Sequence, residues 1–209
     1  IFNDFKKIVP NSMTHWQHPK FFAYFPANAA PASIFAESLV NAMGAQAMLW
    51  QTSPAATEME TVVIDWLRQA LGLSKEFRGT IHDTATTVNL SAVLTMREKA
   101  LNFQGLKAGL YNVKKLRVYT SANSHSSIDK AVRLSGIGED NLIKIELDSN
   151  LSIDVKALEN QVCKDLKEGY QPIGLILSIG GTSVGSSDKV APLLELAKKY
   201  NLYTHIDAA

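Results

Sequence analysis

From Ser33 onward apolar residues recur at intervals of three and four, at Ile34, Phe35, Leu39, Val40 and Met43, and the run meets Gly44. That spacing predicts an amphipathic helix with a glycine stop. A second helix is predicted over 55–71, with Met59, Val62, Val63, Trp66, Leu67 and Ala70 on one face and Ser53-Pro54 as cap and first turn. Residues 1–32 are rich in Pro, His and aromatics without a period, and predict an extended arm or loop. Beyond Gly79 short apolar runs alternate with helical patterns. Strands are predicted near 116–119, 142–145, 173–178 and 202–206, and helices over 85–103, 126–134, 154–168 and 190–200. Alternation of this kind predicts an α/β fold whose mainly parallel sheet is covered on both faces by helices.

With 209 residues and 46% apolar content the chain can bury a sizeable core. Its net charge of +1 balances 21 basic against 20 acidic residues without a like-charge block. No nucleic-acid partner and no anionic membrane is therefore expected, and a small-molecule site fits better. The most apolar stretch, 27–50, is interrupted by Asn28, Glu37, Asn41 and Gln46, which excludes it as a spanning segment. Cys163 is the only cysteine, so no intrachain disulfide is expected and the cytoplasm is the expected compartment. The first residue is not Met, from which a cut amino end is expected.

Four segments place polar residues at the ends of elements. Gly79-Thr-Ile-His-Asp-Thr84 and the following Ala85, Thr86 and Thr87 lead into a long amphipathic helix, where free N–H groups and hydroxyls can hold an anion or simply cap the helix. The segment 119–127 follows a strand and carries His125, Ser126 and Ser127; an imidazole there can stack on a flat ring or exchange a proton. The glycine-rich run Ser178-Ile-Gly-Gly-Thr182 also begins at a strand end, and Asp188 beyond it either caps the next helix or pairs with a cation. The last strand delivers Asp207 to its C-terminal end, where ligands of open α/β sheets bind. No metal is expected: His15 and His18 lack further ligands at matching spacing. Ser-His-Asp hydrolysis is a competitor through the serines, His125 and Asp207, but Gly-x-Ser-x-Gly is absent, as is a nucleotide P-loop.

Taken in order, these segments resemble the pyridoxal-phosphate-dependent (group II) decarboxylases of the aromatic L-amino-acid decarboxylase type. The resemblance rests on His15-Trp-Gln-His-Pro-Lys-Phe-Phe-Ala-Tyr-Phe-Pro26, Ser53-Pro-Ala-Ala-Thr-Glu-Met-Glu60 with Asp65-Trp66-Leu67, the Thr84-Ala85-Thr86 helix start, Ser124-His125-Ser126-Ser127, and His205-Ile-Asp-Ala-Ala209. It implies a type I aminotransferase-like fold, with an N-terminal arm and first helix over 1–52 and part of the cofactor-binding large domain over 53–209. It also implies a cytoplasmic homodimer that decarboxylates an L-amino acid, aromatic in this branch, using pyridoxal 5'-phosphate. On the matching positions, Asp207 would pair with the pyridine nitrogen and His125 would stack on the ring. Ala85 and Thr86 would hold the phosphate, and Thr182 and Ala209 would contact the cofactor. Tyr24, Phe25, Pro26 and Ala27 would line the substrate pocket near the dimer interface.

The chain departs from the family pattern in three places. The helix start reads Thr84-Ala-Thr-Thr87 where the family has an acidic fourth residue, and the glycine turn keeps one threonine, Thr182. Ala27 stands where the family often has threonine. The lysine that carries the cofactor lies downstream of the Asp-Ala-Ala strand in this family, so the chain is expected to be a truncated piece that is inactive alone. Rival readings are a decarboxylase of an acidic or diamino acid, an aldehyde synthase using oxygen in the same pocket, and a non-catalytic dimerisation module on this fold.

Overall fold

A computed structural model of the chain describes residues 1–25 and 29–209. The chain divides into two compact units, Ile1–Thr80 and Ile81–Ala209. The first unit is helical: α1 (Phe2–Ile8) with a 3-10 turn at Pro10–Ser12, α2 (Pro31–Met43) and α3 (Pro54–Ala70). Helix α1 corrects the expectation of an irregular arm; its seven residues are too few to reveal a period, and Pro10 ends it. Helix α2 starts with Pro31 in its first turn and stops at Gly44, whose φ of 57° is left-handed backbone that a side chain would strain. Ser53 precedes α3, but its side chain makes no capping bond; Pro54 alone sets that start. None of the described residues in this unit is buried, and Ile34, Phe35, Met43, Met59 and Trp66 stand largely exposed.

The second unit holds α4 (Ala85–Ala100), α5 (Gly105–Ala108), β1 (Leu116–Ser121), α6 (Ser126–Leu134), β2 (Leu142–Ile145), α7 (Val155–Lys167), β3 (Gln171–Ser178), α8 (Val190–Lys199) and β4 (Tyr203–Asp207). The four strands form one parallel sheet in the order β2-β1-β3-β4. Side chains alternate across it. Leu116, Val118 and Ile176 pack with Val93 and Met96 of α4 and Ile128, Ala131 and Val132 of α6, while Tyr119, Leu175 and Leu177 pack with Leu158 and Val162 of α7 and Leu193 of α8. Both faces are thus covered, as the near-continuous apolar strands require. An irregularity between Arg117 and Val118 absorbs one extra residue of β3 beside Pro172, which cannot donate to a ladder.

Helix α4 lies against β3 where the strand carries Gly174: a Cβ there would collide with Met96 Sδ. The buried side of α4 mixes polar with apolar residues: Asn89 and Glu98 are buried with Val93 and Met96. Since β1 and β3 are neighbours whose onward connections run to opposite sides, to β2 and to β4, the sheet has its switch point between them. A crevice opens beyond the carboxyl ends at such a point. Among the described residues no helix is long and apolar enough to cross a membrane.

Candidate active site

The predicted groups of the second unit lie at or just beyond element ends, and several of them face that crevice. Thr84 is the N-cap of α4 and its hydroxyl accepts the Thr87 N–H at 3.4 Å. Ala85 and Thr86 follow in the first turn, where a helix has no carbonyl to receive their N–H groups. His125 is the N-cap of α6, and its Nδ1 accepts the Ser127 N–H at 3.2 Å and lies 2.8 Å from Ser127 Oγ. The glycine turn leaves β3 at Ser178, and Asp207 ends β4.

Ala85, His125, Ser127, Thr182, Asp207 and Ala209 share the wall of one cavity of about 130 Å³ with the turn of Gly180 and Gly181. A second cavity, of about 410 Å³, shares Ala85, Asp207 and Ala209 and reaches Asn89 and His205. Thr86 lines neither. Tyr24 and Phe25 belong to the first unit and are exposed, Tyr24 stacked on Trp16 at 5.2 Å between centroids. Pro26 and Ala27 lie outside the described residues.

The electrostatics centre on Asp207. Its Oδ2 accepts from Asn89 Nδ2 at 3.3 Å and its Oδ1 from the Ala209 N–H at 3.2 Å, and it forms no ion pair among the described residues. A half-buried carboxylate on a cavity wall without a counter-charge is suited to a cationic or N–H-bearing ring. Opposite in character, the start of α4 with Ala85 suits an anion such as a phosphate ester. Pyridoxal 5'-phosphate carries both groups, and the donor set fits it. His205 is held below its ordinary value by burial, against the opposing pull of the Asp207 charge.

Two expectations change. Asp188 does not cap α8, whose N-cap is Lys189, and pairs with no cation among the described residues; it is buried, and its oxygens accept the backbone N–H groups of Ile153 at 2.8 Å and Ser178 at 2.7 Å. The hydrolase alternative is not supported either. Ser127 does pair with His125, but only 1% of it is exposed, and no carboxylate bonds the other ring nitrogen among the described residues. Sequence reasoning missed Asn89. It lies four residues after Ala85, on the same side of α4, and that spacing beside a candidate ligand position was the available signal. No cluster of three or more His, Cys, Asp or Glu capable of holding a metal occurs among the described residues.

Comparison with known proteins identifies the family. The family profile described as the pyridoxal-dependent decarboxylase conserved domain matches residues 1–209. A phenylacetaldehyde synthase of Petunia hybrida is 36% identical over 100% of the chain and 42% of its own length, and a tyrosine decarboxylase of Petroselinum crispum 38% identical over 97% and 41%. Among solved structures, Catharanthus roseus tryptophan decarboxylase in complex with L-tryptophan superposes with a TM-score of 0.89 at 33% identity, covering 100% of the chain and 46% of that protein. Oryza sativa TDC with PLP and tryptamine gives 0.92 at 31%, covering 100% and 44%. The chain thus spans less than half the length of the relatives it matches.

Proposed function

Since the chain belongs to the pyridoxal-dependent decarboxylase family, we propose that the full protein carrying it removes the α-carboxyl of an aromatic L-amino acid as CO2, with pyridoxal 5'-phosphate as cofactor. The observation that carries this reading is the cavity in which the Asp207 carboxylate, without an ion-pair partner among the described residues, the His125 imidazole and the N-terminus of α4 converge. When bound, the cofactor supplies an electron sink for the pair left as CO2 departs. Asp207 would keep the ring nitrogen protonated by offering it a carboxylate. His125 would cover one face of the ring, and the Ala85 N–H at the helix start would bind the phosphate, assisted by the hydroxyl of Thr86.

The aromatic substrate class is supported by tyrosine and tryptophan decarboxylases among the relatives. Tyr24, Phe25, Pro26 and Ala27 are proposed to line the substrate pocket. A homodimer is part of the same proposal, supported by the exposed apolar faces of α2 and α3, which carry Ile34, Phe35 and Leu39 and Met59, Val62 and Trp66. Residence in the cytoplasm is proposed on the single cysteine. A second reading, an aldehyde synthase on the same site, is favoured by the phenylacetaldehyde synthase relative.

The test is an absorbance titration of the full protein with pyridoxal phosphate, followed by L-tyrosine, L-tryptophan or L-phenylalanine with CO2 and products measured. CO2 with the amine supports the decarboxylase, and CO2 with the aldehyde, ammonia and hydrogen peroxide, formed with uptake of dioxygen, supports the synthase. Cofactor binding without CO2 would overturn both. Asp207→Ala should abolish tight cofactor binding, and retained binding would remove its assigned role.

A further inference from the structure

The groups of the cavity are joined behind its wall by one side chain. Asn89 is 1% exposed, and its amide uses both ends. Nδ2 donates to Ser127 Oγ at 2.9 Å and to Asp207 Oδ2 at 3.3 Å, and Oδ1 lies 2.7 Å from His205 Nε2. An amide can be turned end for end with little change of shape, so its orientation needs an argument. Here Asp207 provides one. An ionised carboxylate only accepts hydrogen bonds, so the end of the amide facing it must be the NH2; the reversed amide would set a carbonyl oxygen against a carboxylate oxygen.

Once the amide is fixed, the protons of its neighbours follow. His205 Nε2 faces a carbonyl oxygen and therefore carries a proton. Burial, which lowers the His205 pKa against the pull of Asp207 and so favours the neutral ring, agrees with a single proton there. Ser127 Oγ accepts from Asn89, so its own hydrogen points elsewhere, and the acceptor in reach is His125 Nδ1 at 2.8 Å. That nitrogen already accepts the Ser127 N–H at 3.2 Å. With both Ser127 donors directed at it, Nδ1 must hold a lone pair, and the ring proton resides on Nε2.

We infer that Asn89 is a positioning residue that fixes the tautomer of His125 through Ser127 while holding Asp207, so that the His125 nitrogen left for a ligand, Nε2, is a hydrogen-bond donor. The identity of that ligand as pyridoxal phosphate or its substrate rests on the function proposed above; the tautomer does not. At Nε2 the neutral ring can give a hydrogen bond to an occupant of the cavity and cannot accept one. The same amide fixes Asp207 from behind, so one side chain sets the position of one group and the protonation pattern of the other.

The experiment is 15N NMR of the full protein with labelled histidine and the cofactor removed, with ring signals assigned by His125→Gln and His205→Gln. In the parent protein His125 should show a proton-free Nδ1 and a protonated Nε2, and His205 a protonated Nε2. In Asn89→Asp the new carboxylate accepts the Ser127 hydrogen and leaves His125 Nδ1 with the Ser127 N–H as its one remaining donor, so the preference for the Nε2 proton weakens and His125 should show a share of the Nδ1-protonated tautomer. Asn89→Leu, of similar size and without polar atoms, should leave His205 and Ser127 without their partner and also shift the His125 signals. Pyridoxal-phosphate affinity should fall about tenfold or more in both variants, the scale of one hydrogen bond to a charged group. His125 protonated at Nδ1 in the parent overturns the inference, and this measurement decides alone if neither variant folds. Unchanged His125 signals in a folded Asn89→Asp protein also overturn it, even where the cofactor binds normally. Should the tautomers be as stated while no pyridoxal phosphate binds, the inference stands and the cofactor assignment fails.

Discussion

Replacing Asp188 by asparagine tests what holds the glycine turn against the site. The turn runs from Ser178 to Asp188 and is tied internally: Gly181 N–H donates to Ser186 O at 2.8 Å, Ile179 bridges Ser187, and the Asp188 N–H donates to Ser178 O at 2.9 Å. The Asp188 carboxylate closes its base by accepting the Ser178 N–H at 2.7 Å and reaches across to the Ile153 N–H at 2.8 Å. Hydrogen bonds to a charged group contribute about 1.5–3 kcal/mol each, against about 0.5–1.5 for neutral ones. The amide of an Asp188→Asn variant would keep one oxygen as a neutral acceptor and turn an NH2 toward a buried N–H, losing one bond outright and weakening the other. The expected cost is about 2–4 kcal/mol, measured from urea unfolding of the full protein. Pyridoxal-phosphate affinity, followed by absorbance, should fall with it because Gly180 and Thr182 lose their fixed base. Lys189→Met is the matched control. It breaks the neighbouring Lys189–Asp148 ion pair, 2.6 Å long but with the lysine half exposed, and such pairs contribute about 1 kcal/mol or less. Asp188→Asn within about 0.5 kcal/mol of the parent, or no more costly than the control, would refute the reasoning.

Two further perturbations probe the second unit. Gly174→Ala should destabilise by about 1–3 kcal/mol through overpacking against Met96, and Met96→Ala in the same chain should relieve part of that cost; strict additivity in a double-mutant cycle by urea unfolding would dismiss the close approach. His205, lowered from 6.5 by burial, takes up its proton on unfolding between its folded value and about 6.5, so the unfolded state binds more protons there and stability falls as pH drops below 6.5 until the folded ring titrates. His205→Gln keeps an N–H for Asn89 but does not titrate, and should flatten that part of the stability-against-pH curve; parallel curves would contradict the burial effect.

What the sequence made legible and what it hid divide along a physical line. The limits of β2 and α6 match expectation because a parallel strand reads as a short apolar run, broken in the edge strand β2 by the exposed Lys144, and a hydroxyl cluster after β1 marks the start of α6. Strand β1 runs two residues further than its apolar run because Thr120 hides its polarity by donating to Ile176 O at 3.2 Å, so its burial is invisible to hydropathy. The candidate residues His125 and Asp207 were picked out for a similar reason: one caps α6 and the other ends β4, and an element end is a local property of the chain, while Thr182 lies in the glycine turn beyond the end of β3. Asn89 is the opposite case. On its helix it reads as a misfit in a buried stripe, and it becomes intelligible only through Ser127, 38 residues away, His205, 116 away, and Asp207, 118 away. A buried amide must satisfy its donors and acceptor or cost stability, so its presence in the core demanded partners, although not which ones. Local pattern therefore finds the groups that face a ligand, and the sheet topology that gathers strand ends at one switch point is needed to find the group that couples them.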